Sequence, residues 1–327
     1  MKRYNWGVLT AGKMSAKFTR GLQLLDNAVL YAVGSRDTSR SRDFAETYGF
    51  RRFYGSYEEL AADPDVDIIY IASPHSHHLE HTMLCLSNRK AVICEKAFAL
   101  NGREVETMIS ESKKQGVFLM EALWPPFQPV YKKAGQVLQS GKLGRVIHMN
   151  ARFSFQPPYD PEDRKFNVSL GGGSLPDIGI YPVIDVITFM GIPDEITAKA
   201  SFALSGSEDS VSVIFRYADG RTATLYSSFR TTAGIGSDAY CEKGNLYLTR
   251  GRDMSQRLTV SVHGGETEEH SLIPEGMGYH YEAIEVMACL DKGKTESDTV
   301  PLSFSLGLIQ TLDRIRESAG IVFPGRD

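Results

Sequence analysis

The sequence predicts an α/β chain: a doubly wound parallel sheet followed by an α+β domain with an open, mainly antiparallel sheet. Three observations carry this expectation. Short apolar runs alternate with amphipathic stretches over the first 120 or so residues. The run at 68–72 is apolar without interruption, as suits a strand buried on both faces. From residue 146 onward the runs lengthen and alternate, with Asp219-Gly220 as a hairpin signal between two of them.

Taken in order, residues 6–10 read as a strand and 13–25 as a helix with Phe18, Leu22 and Leu25 on one face. A strand follows at 29–33, and a helix at 39–48 closed by Gly49. A short extended pair at 53–54 and a helix at 57–62 precede the apolar strand. Helix 76–87, strand 91–94, helix 102–115 and strand 117–120 complete the first pattern. Prolines then punctuate the chain before a helix at 130–139. Strands are expected at 146–155, 196–204, 210–217, 221–230, 239–249 and 258–263, and helices at 279–291 and 302–318. A length of 327 residues suits two domains, expected at 1–122 and 123–327. The C-terminal helix is expected to pack back on the first domain.

Hydrophobic residues make up 42% and charged residues 23%, the balance of an ordinary globular protein. A net charge of −4 argues against a nucleic-acid partner. The four cysteines show no paired spacing, which suits a reducing cytoplasm. Lys2 and Arg3 are followed by a stretch too short and too glycine-broken for a signal peptide. No apolar run approaches the ~20 residues of a membrane span. The expectation is a cytoplasmic protein without membrane or nucleic-acid partners.

Several stretches carry chemistry. "VLTAGKMS" (8–15) joins a strand to a helix, the context of a pyrophosphate-binding turn, but keeps one of the three fingerprint glycines. Gly12 takes the position of closest backbone approach, Thr10 the first glycine and Ser15 the third. Helix N-terminal amides still supply an anion site. A plain strand–helix turn is the alternative. Thr10 is expected in an unstrained turn slightly wider than the glycine version.

The second strand ends in Gly34-Ser35-Arg36-Asp37. Arg36 has the charge and donors for a 2′-phosphate, with Ser35 beside it and Arg40 near the adenine, which favours NADP over NAD. Asp37 speaks for NAD, and an exposed basic loop is the bland alternative. "PHSHHLEH" (74–81) offers four histidines, with His77 and His81 on one helical face. No carboxylate-plus-histidine constellation elsewhere completes a metal site, so no metal is expected, and the segment reads as a loop and helix start beside a cofactor. Gly293-Lys294-Thr295 mimics a P-loop tail, but Ala288 stands where the partner glycine belongs.

Glu95 and Lys96 follow directly on the strand 91–94, at the end where doubly wound sheets keep function. A partly desolvated lysine there can exchange protons, while a surface ion pair is the alternative. "GGGSLPDIGIYPVID" (171–185) puts Asp177, Tyr181 and Asp185 on one helical face behind a glycine-rich approach. Carboxylate and phenol suit a polyol, and an ordinary amphipathic helix is the alternative. Phe153, Phe155, Tyr159 and Phe166 hint at an aromatic lining.

In order and spacing, these motifs resemble the Gfo/Idh/MocA family (glucose–fructose oxidoreductase / inositol dehydrogenase) across essentially the whole chain. "WGVLTAGKMS", "GSRD", "YGSYEELAADPDVDIIYIASPHSHH", "CEKAFALNGREVE" and "FLMEALWPPFQP" are most similar to its dimeric dihydrodiol dehydrogenase branch, which includes NADP-dependent D-xylose dehydrogenases. The resemblance implies hydride transfer between a secondary alcohol or sugar hydroxyl and NAD(P). Its lysine, in Glu-Lys-Pro, matches Lys96, and its acid and Tyr-or-His pair matches Asp177 and Tyr181. Its Pro-x-x-x-His element matches Pro74 and His78, placing His78 near the nicotinamide.

The implied cofactor contacts are Thr10, Ala11, Gly12, Lys13 and Met14 in the first turn and Ser35, Arg36 and Arg40 after the second strand. Ser73, Pro74, His75 and His78 follow, then Glu95 and Lys96. Tyr181 takes the hydroxyl proton with help from Lys96, and Asp177 orients the substrate. A homodimer or higher homo-oligomer is implied as well. Two departures stand out: Ala97 replaces the motif's proline, and Pro126 stands where the branch has arginine. The rival class is a non-catalytic NADP-binding regulator, against which intact Lys96, Asp177 and Tyr181 speak. A reductase of an unusual substrate, such as a tetrapyrrole or imine, would keep the same fold.

Overall fold

A computed structural model of the chain describes residues 2–251 and 253–326, in two compact units. Of the described residues, the first comprises those up to 124 with 275–306, and the second the rest.

The first unit starts β1 (Tyr4–Leu9), α1 (Lys13–Leu22), β2 (Ala28–Gly34), α2 (Thr38–Tyr48), β3 (Arg52–Tyr54), α3 (Tyr57–Ala62) and β4 (Ile68–Ile71). A 3-10 turn (His75–His77) leads into α4 (His78–Ser87), then β5 (Ala91–Glu95), α5 (Gly102–Gln115) and β6 (Leu119–Ala122). The six strands form a parallel sheet in the order β3-β2-β1-β4-β5-β6. This is the doubly wound order with its switch point between β1 and β4, where such sheets leave a crevice.

Local chemistry sets the element ends. Asp37 caps α2 by accepting from Ser39 N and Arg40 N, and Gly49 ends it at φ 83°. Asn101 caps α5 by accepting from Glu104 N, while Glu104 Oε2 accepts from Leu100 N, the residue before the cap. Beneath the sheet, Phe18 of α1 stacks on Tyr70 of β4 with centroids 3.8 Å apart, and Trp6 of β1 tilts against Phe18 at 5.6 Å.

Next come α6 (Trp124–Phe127), α7 (Pro129–Gln139) and β7 (Val146–Ser154). A π-helical turn (Leu175–Gly179) continues as α8 (Ile180–Met190). Then follow β8 (Glu195–Phe202), β9 (Glu208–Arg216), β10 (Thr222–Ser228), β11 (Gly234–Cys241), β12 (Gly244–Arg250), β13 (Gln256–Val262) and β14 (Thr267–Leu272). They build an eight-stranded sheet, β14-β13-β12-β11-β7-β10-β9-β8, antiparallel except for the β7–β10 pair. Helices α9 (His280–Asp291) and α10 (Leu302–Ala319) end the chain. No helix among the described residues is long and apolar enough to cross a membrane.

Several expectations need correction. The first unit runs to Trp124 and takes in α9 and the first residues of α10, 302–306, and in it Tyr4 donates to Asp291 at 2.7 Å. The single strand expected at 239–249 is two, β11 and β12, with Cys241 paired to Gly244 across Glu242-Lys243. That turn lacks an Asn-Gly signature, so the apolar alternation runs through it. Strand β14 was not expected, because as an edge strand it buries no complete apolar face.

In the second unit, Asp185 of α8 accepts from Arg250 Nη2 at 2.6 Å and from Ser237 Oγ at 2.5 Å, with all three residues buried. This pair ties α8 to β11 and β12. Arg250→Met leaves the carboxylate buried without its cation. The expected loss is about 3–5 kcal/mol in urea unfolding, partly recovered in Asp185→Leu/Arg250→Met.

Candidate active site

The first unit's candidate residues gather at the carboxyl ends of its strands. Gly12 is the N-cap of α1, whose first turn contains no acidic residue. A Cβ at Gly12 would meet nothing within 4 Å, so the backbone faces open space where a phosphate can approach the helix N-terminus. Ala11 O accepts from Arg40 Nη2 at 3.2 Å, which folds the β2 loop over the turn. Lys13 is exposed, Met14 half-buried and Ser15 buried.

Thr10 is not in the unstrained turn expected of it. Its φ is 89°, in the left-handed region, which is a true outlier for a β-branched residue. Three anchors hold it there. Its N–H donates to Gly34 O at 3.1 Å, its hydroxyl donates to Ala72 O at 3.1 Å, and Ser15 Oγ lies 3.3 Å away. Contacts to β2, to the end of β4 and to α1 over-determine the conformation.

At the end of β2, Ser35 is buried and Arg36 exposed. Asp37 spends one carboxylate oxygen on Ser39 N at 2.9 Å, Ser39 Oγ at 2.6 Å and Arg40 N. These bonds, that from the Ser39 hydroxyl first, hold its pKa below the usual carboxylate value. Burial raises the Tyr57 phenol, and the Arg36 guanidinium hydrogen-bonded to it opposes that shift.

After β4, Ser73, His75 and His78 are buried and Pro74 half-buried. His78 has no exposed surface; its Nδ1 lies 2.8 Å from Ala97 O and its Nε2 2.8 Å from Ser73 O. Burial pushes the imidazole down to about 4, so at neutral pH the ring is neutral and donates from one nitrogen. His78 is thus a clip between the β4 and β5 loops, reaching Lys96 through the next residue's carbonyl. The Lys96–Ala97 bond is cis even though alanine replaces proline.

Lys96 is half-buried beside Glu95, its neighbour in the chain, and near Glu121, which spacing could not reveal. Glu95 Oε1 accepts from Tyr70 OH at 2.6 Å, and Glu121 Oε1 accepts from Phe98 N at 3.0 Å. Burial raises Glu121 to about 8, with Glu95 adding to the shift and Lys96 opposing it.

In the second unit, Asp177 lies in the π-helical turn and is 6% exposed, bonded to Arg164 Nη1 at 2.9 Å. Tyr181 is half-buried, 5.5 Å from the Phe153 ring. Asp185 leaves this set for its pair with Arg250. Phe153, Phe155 and Phe166 meet around Phe229, and Tyr159 packs on Phe166 at 5.0 Å. The three glycines do not form an open approach. Glu208 accepts from Leu175 N, and a Cβ at Gly173 would strike its carboxylate, so the glycines let a buried acid cap the turn. Arg164 and Glu208 had no spacing signal, because both reach the turn from distant segments.

A parallel sheet with an anion-ready helix start at its switch point, and a lysine at the next strand end, defines a dinucleotide-dependent oxidoreductase. Residues 4–123 match the oxidoreductase family model with an NAD-binding Rossmann fold, and 131–247 match the GFO/IDH/MocA C-terminal domain. The chain is 36% identical to mouse trans-1,2-dihydrobenzene-1,2-diol dehydrogenase, with 98% of each covered, and 35% identical to the human enzyme at the same coverage. It superposes on levoglucosan dehydrogenase with NADH and L-sorbose at a TM-score of 0.88 and 17% identity, covering 98% of this chain and 97% of that one. A 3-ketoreductase from Actinomadura kijaniata with NADP and TDP-benzene gives 0.87 at 21%, covering 97% and 98%. The chain belongs to the Gfo/Idh/MocA oxidoreductase family and is an NAD(P)-dependent dehydrogenase.

Between about pH 4.5, the ordinary value, and pH 8, unfolded chains lose the Glu121 proton while folded ones keep it. The folded state then binds more protons, so this group's contribution to stability falls as pH rises. Glu121→Gln keeps an acceptor for Phe98 N and removes the titration. Its urea midpoint relative to wild type should rise from pH 5 to pH 8; a constant gap refutes the assignment.

Proposed function

We propose that the chain is an NADP-dependent dehydrogenase that oxidises one hydroxyl of a sugar or cyclic vicinal diol. The carrying observation is at the end of β2. Asp37 is committed to capping α2, whereas Arg36 is exposed beside Tyr57, which supports a 2′-phosphate rather than a ribose hydroxyl as the recognised group. Full-length likeness to trans-1,2-dihydrobenzene-1,2-diol dehydrogenases supports the diol class. The bound nicotinamide supplies a hydride acceptor at C4 for the carbinol hydrogen.

The α1 N-terminus and its turn, Thr10 to Met14, hold the pyrophosphate, with Arg40 closing over them through Ala11. Ser73, Pro74 and His75 flank the cofactor, and Glu95 and His78 hold the lysine loop. Lys96 is the proton-exchanging cation of the first unit. In the second unit, Tyr181 accepts the hydroxyl proton, and Asp177, steadied by Arg164, accepts hydrogen bonds from neighbouring hydroxyls. Oxidation yields a ketone, the reduced cofactor and one proton. Four buried free thiols support a cytoplasmic location. Ile214 and Tyr240, exposed on the open sheet face, support a homo-oligomer.

Lys96→Met and Tyr181→Phe should each lower kcat about 10²–10⁴-fold in assays with aldoses and trans-dihydrodiols. Unchanged turnover in both defeats the assignment. Arg36→Ala should lower kcat/KM for NADP about 10–100-fold, by loss of charge-assisted bonds, and leave the value for NAD unchanged. An equal loss with both cofactors removes Arg36 from the 2′-phosphate.

A further inference from the structure

Two histidines of the 74–81 segment are not absorbed by the dehydrogenase reading. His77 ends the 3-10 turn, and His81 lies one turn into α4, so both rings project from one face. The rings stack with centroids 5.5 Å apart and planes at 16°. Glu80 completes the group, its Oε2 3.6 Å from His77 Nδ1. One donor atom from each of the three lies within 4.8 Å of the others. The spacing is His-x-x-Glu-His, in which two imidazoles four residues apart can share a metal ion.

We propose that His77, Glu80 and His81 form a divalent transition-metal site in the cleft that Arg36 and Tyr57 also line, apart from the residues assigned to hydride and proton transfer. Two features separate it from a plain surface ion pair. First, His81 is preset as a ligand. Its Nδ1 is bonded to Ser73 Oγ at 2.9 Å, and its ring edge packs on Tyr57 with centroids at 4.7 Å, so Nε2 is the nitrogen left to coordinate. A ligating histidine is oriented in this way by its second nitrogen.

Second, the three donors open on one cleft, whose lining also includes Glu58, Glu111 and Arg36. Tetrahedral bonds of about 2.0–2.1 Å set donors about 3.4 Å apart, so each donor here moves on the order of 1 Å to close the site. Exposed Glu80 and half-exposed His77 can make that shift by rotamer change. Two imidazoles and one carboxylate select Zn²⁺, Co²⁺ or Ni²⁺ over Mg²⁺ or Ca²⁺ and leave a coordination position facing the cleft.

The test is titration of the chelator-treated full chain with Co²⁺, followed by its visible absorption, with Zn²⁺ displacement as a second readout. A saturable band at one Co²⁺ per chain, bleached by Zn²⁺ and insensitive to Mg²⁺, is expected. His77→Ala and His81→Ala should each abolish the band at cobalt concentrations that saturate wild type. Half-exposed His77 makes the first variant safe for folding, and its thermal transition confirms that. No saturable band, or a band that survives in both variants, overturns the site.

Discussion

The gap between the ends of β1 and β4 is the constraint on which the rest of the first unit depends. Strand β1 pairs with β2 on one side and β4 on the other, and the connections leave in opposite directions. A single residue spans the opening. Thr10 bonds β2 through its N–H and the end of β4 through its hydroxyl, at a φ glycine would adopt without strain. The side chain that makes this turn costly is the same one that anchors it. A glycine there would relax the backbone but lose the tie to Ala72, so the fingerprint departs from glycine without losing its shape.

Near Lys96 the first unit buries Glu95 and Glu121, and Glu282 of α9 lies close enough to Glu95 to feel its charge. Glu95, Glu121 and Glu282 are each at most 9% exposed, and both carboxyl oxygens of Glu282 are buried without a hydrogen-bond partner. Burial raises Glu282 well above the usual carboxylate value, with Glu95 adding to the shift. Partly satisfied polar clusters of this kind destabilise a core, and they persist where a function needs them. His78 adds a neutral clip beneath the lysine loop. The lysine is therefore set by packing and buried hydrogen bonds rather than by an exposed loop.

Much of this was legible from residue order. The strand–helix rhythm, the capping residues Asp37 and Asn101 and the terminating Gly49 act within a few positions of one another, so spacing reveals them. The aromatic residues suggested as a lining do meet, around Phe229. Asp185 was read with Asp177 and Tyr181 because helical period puts them on one face. The π-helical turn changes that period, and Arg250 claims Asp185 from a strand 65 residues away. The glycine run invited a reading as an open approach, yet Glu208 from β9 fills it.

By itself the sequence determined the strand–helix order of the first unit, its parallel sheet, the strand–turn–helix at Thr10 to Met14 and the identity of the chemical groups, because each depends on local propensity and periodicity. Tertiary structure alone decided the φ of Thr10, the cis bond after Lys96, the pairing of Asp177 with Arg164 and the convergence of Glu80 on His77 and His81. Those outcomes depend on which distant backbone or side chain arrives at hydrogen-bonding distance. They depend also on how much water its arrival removes, and neither quantity is carried by neighbours in the chain.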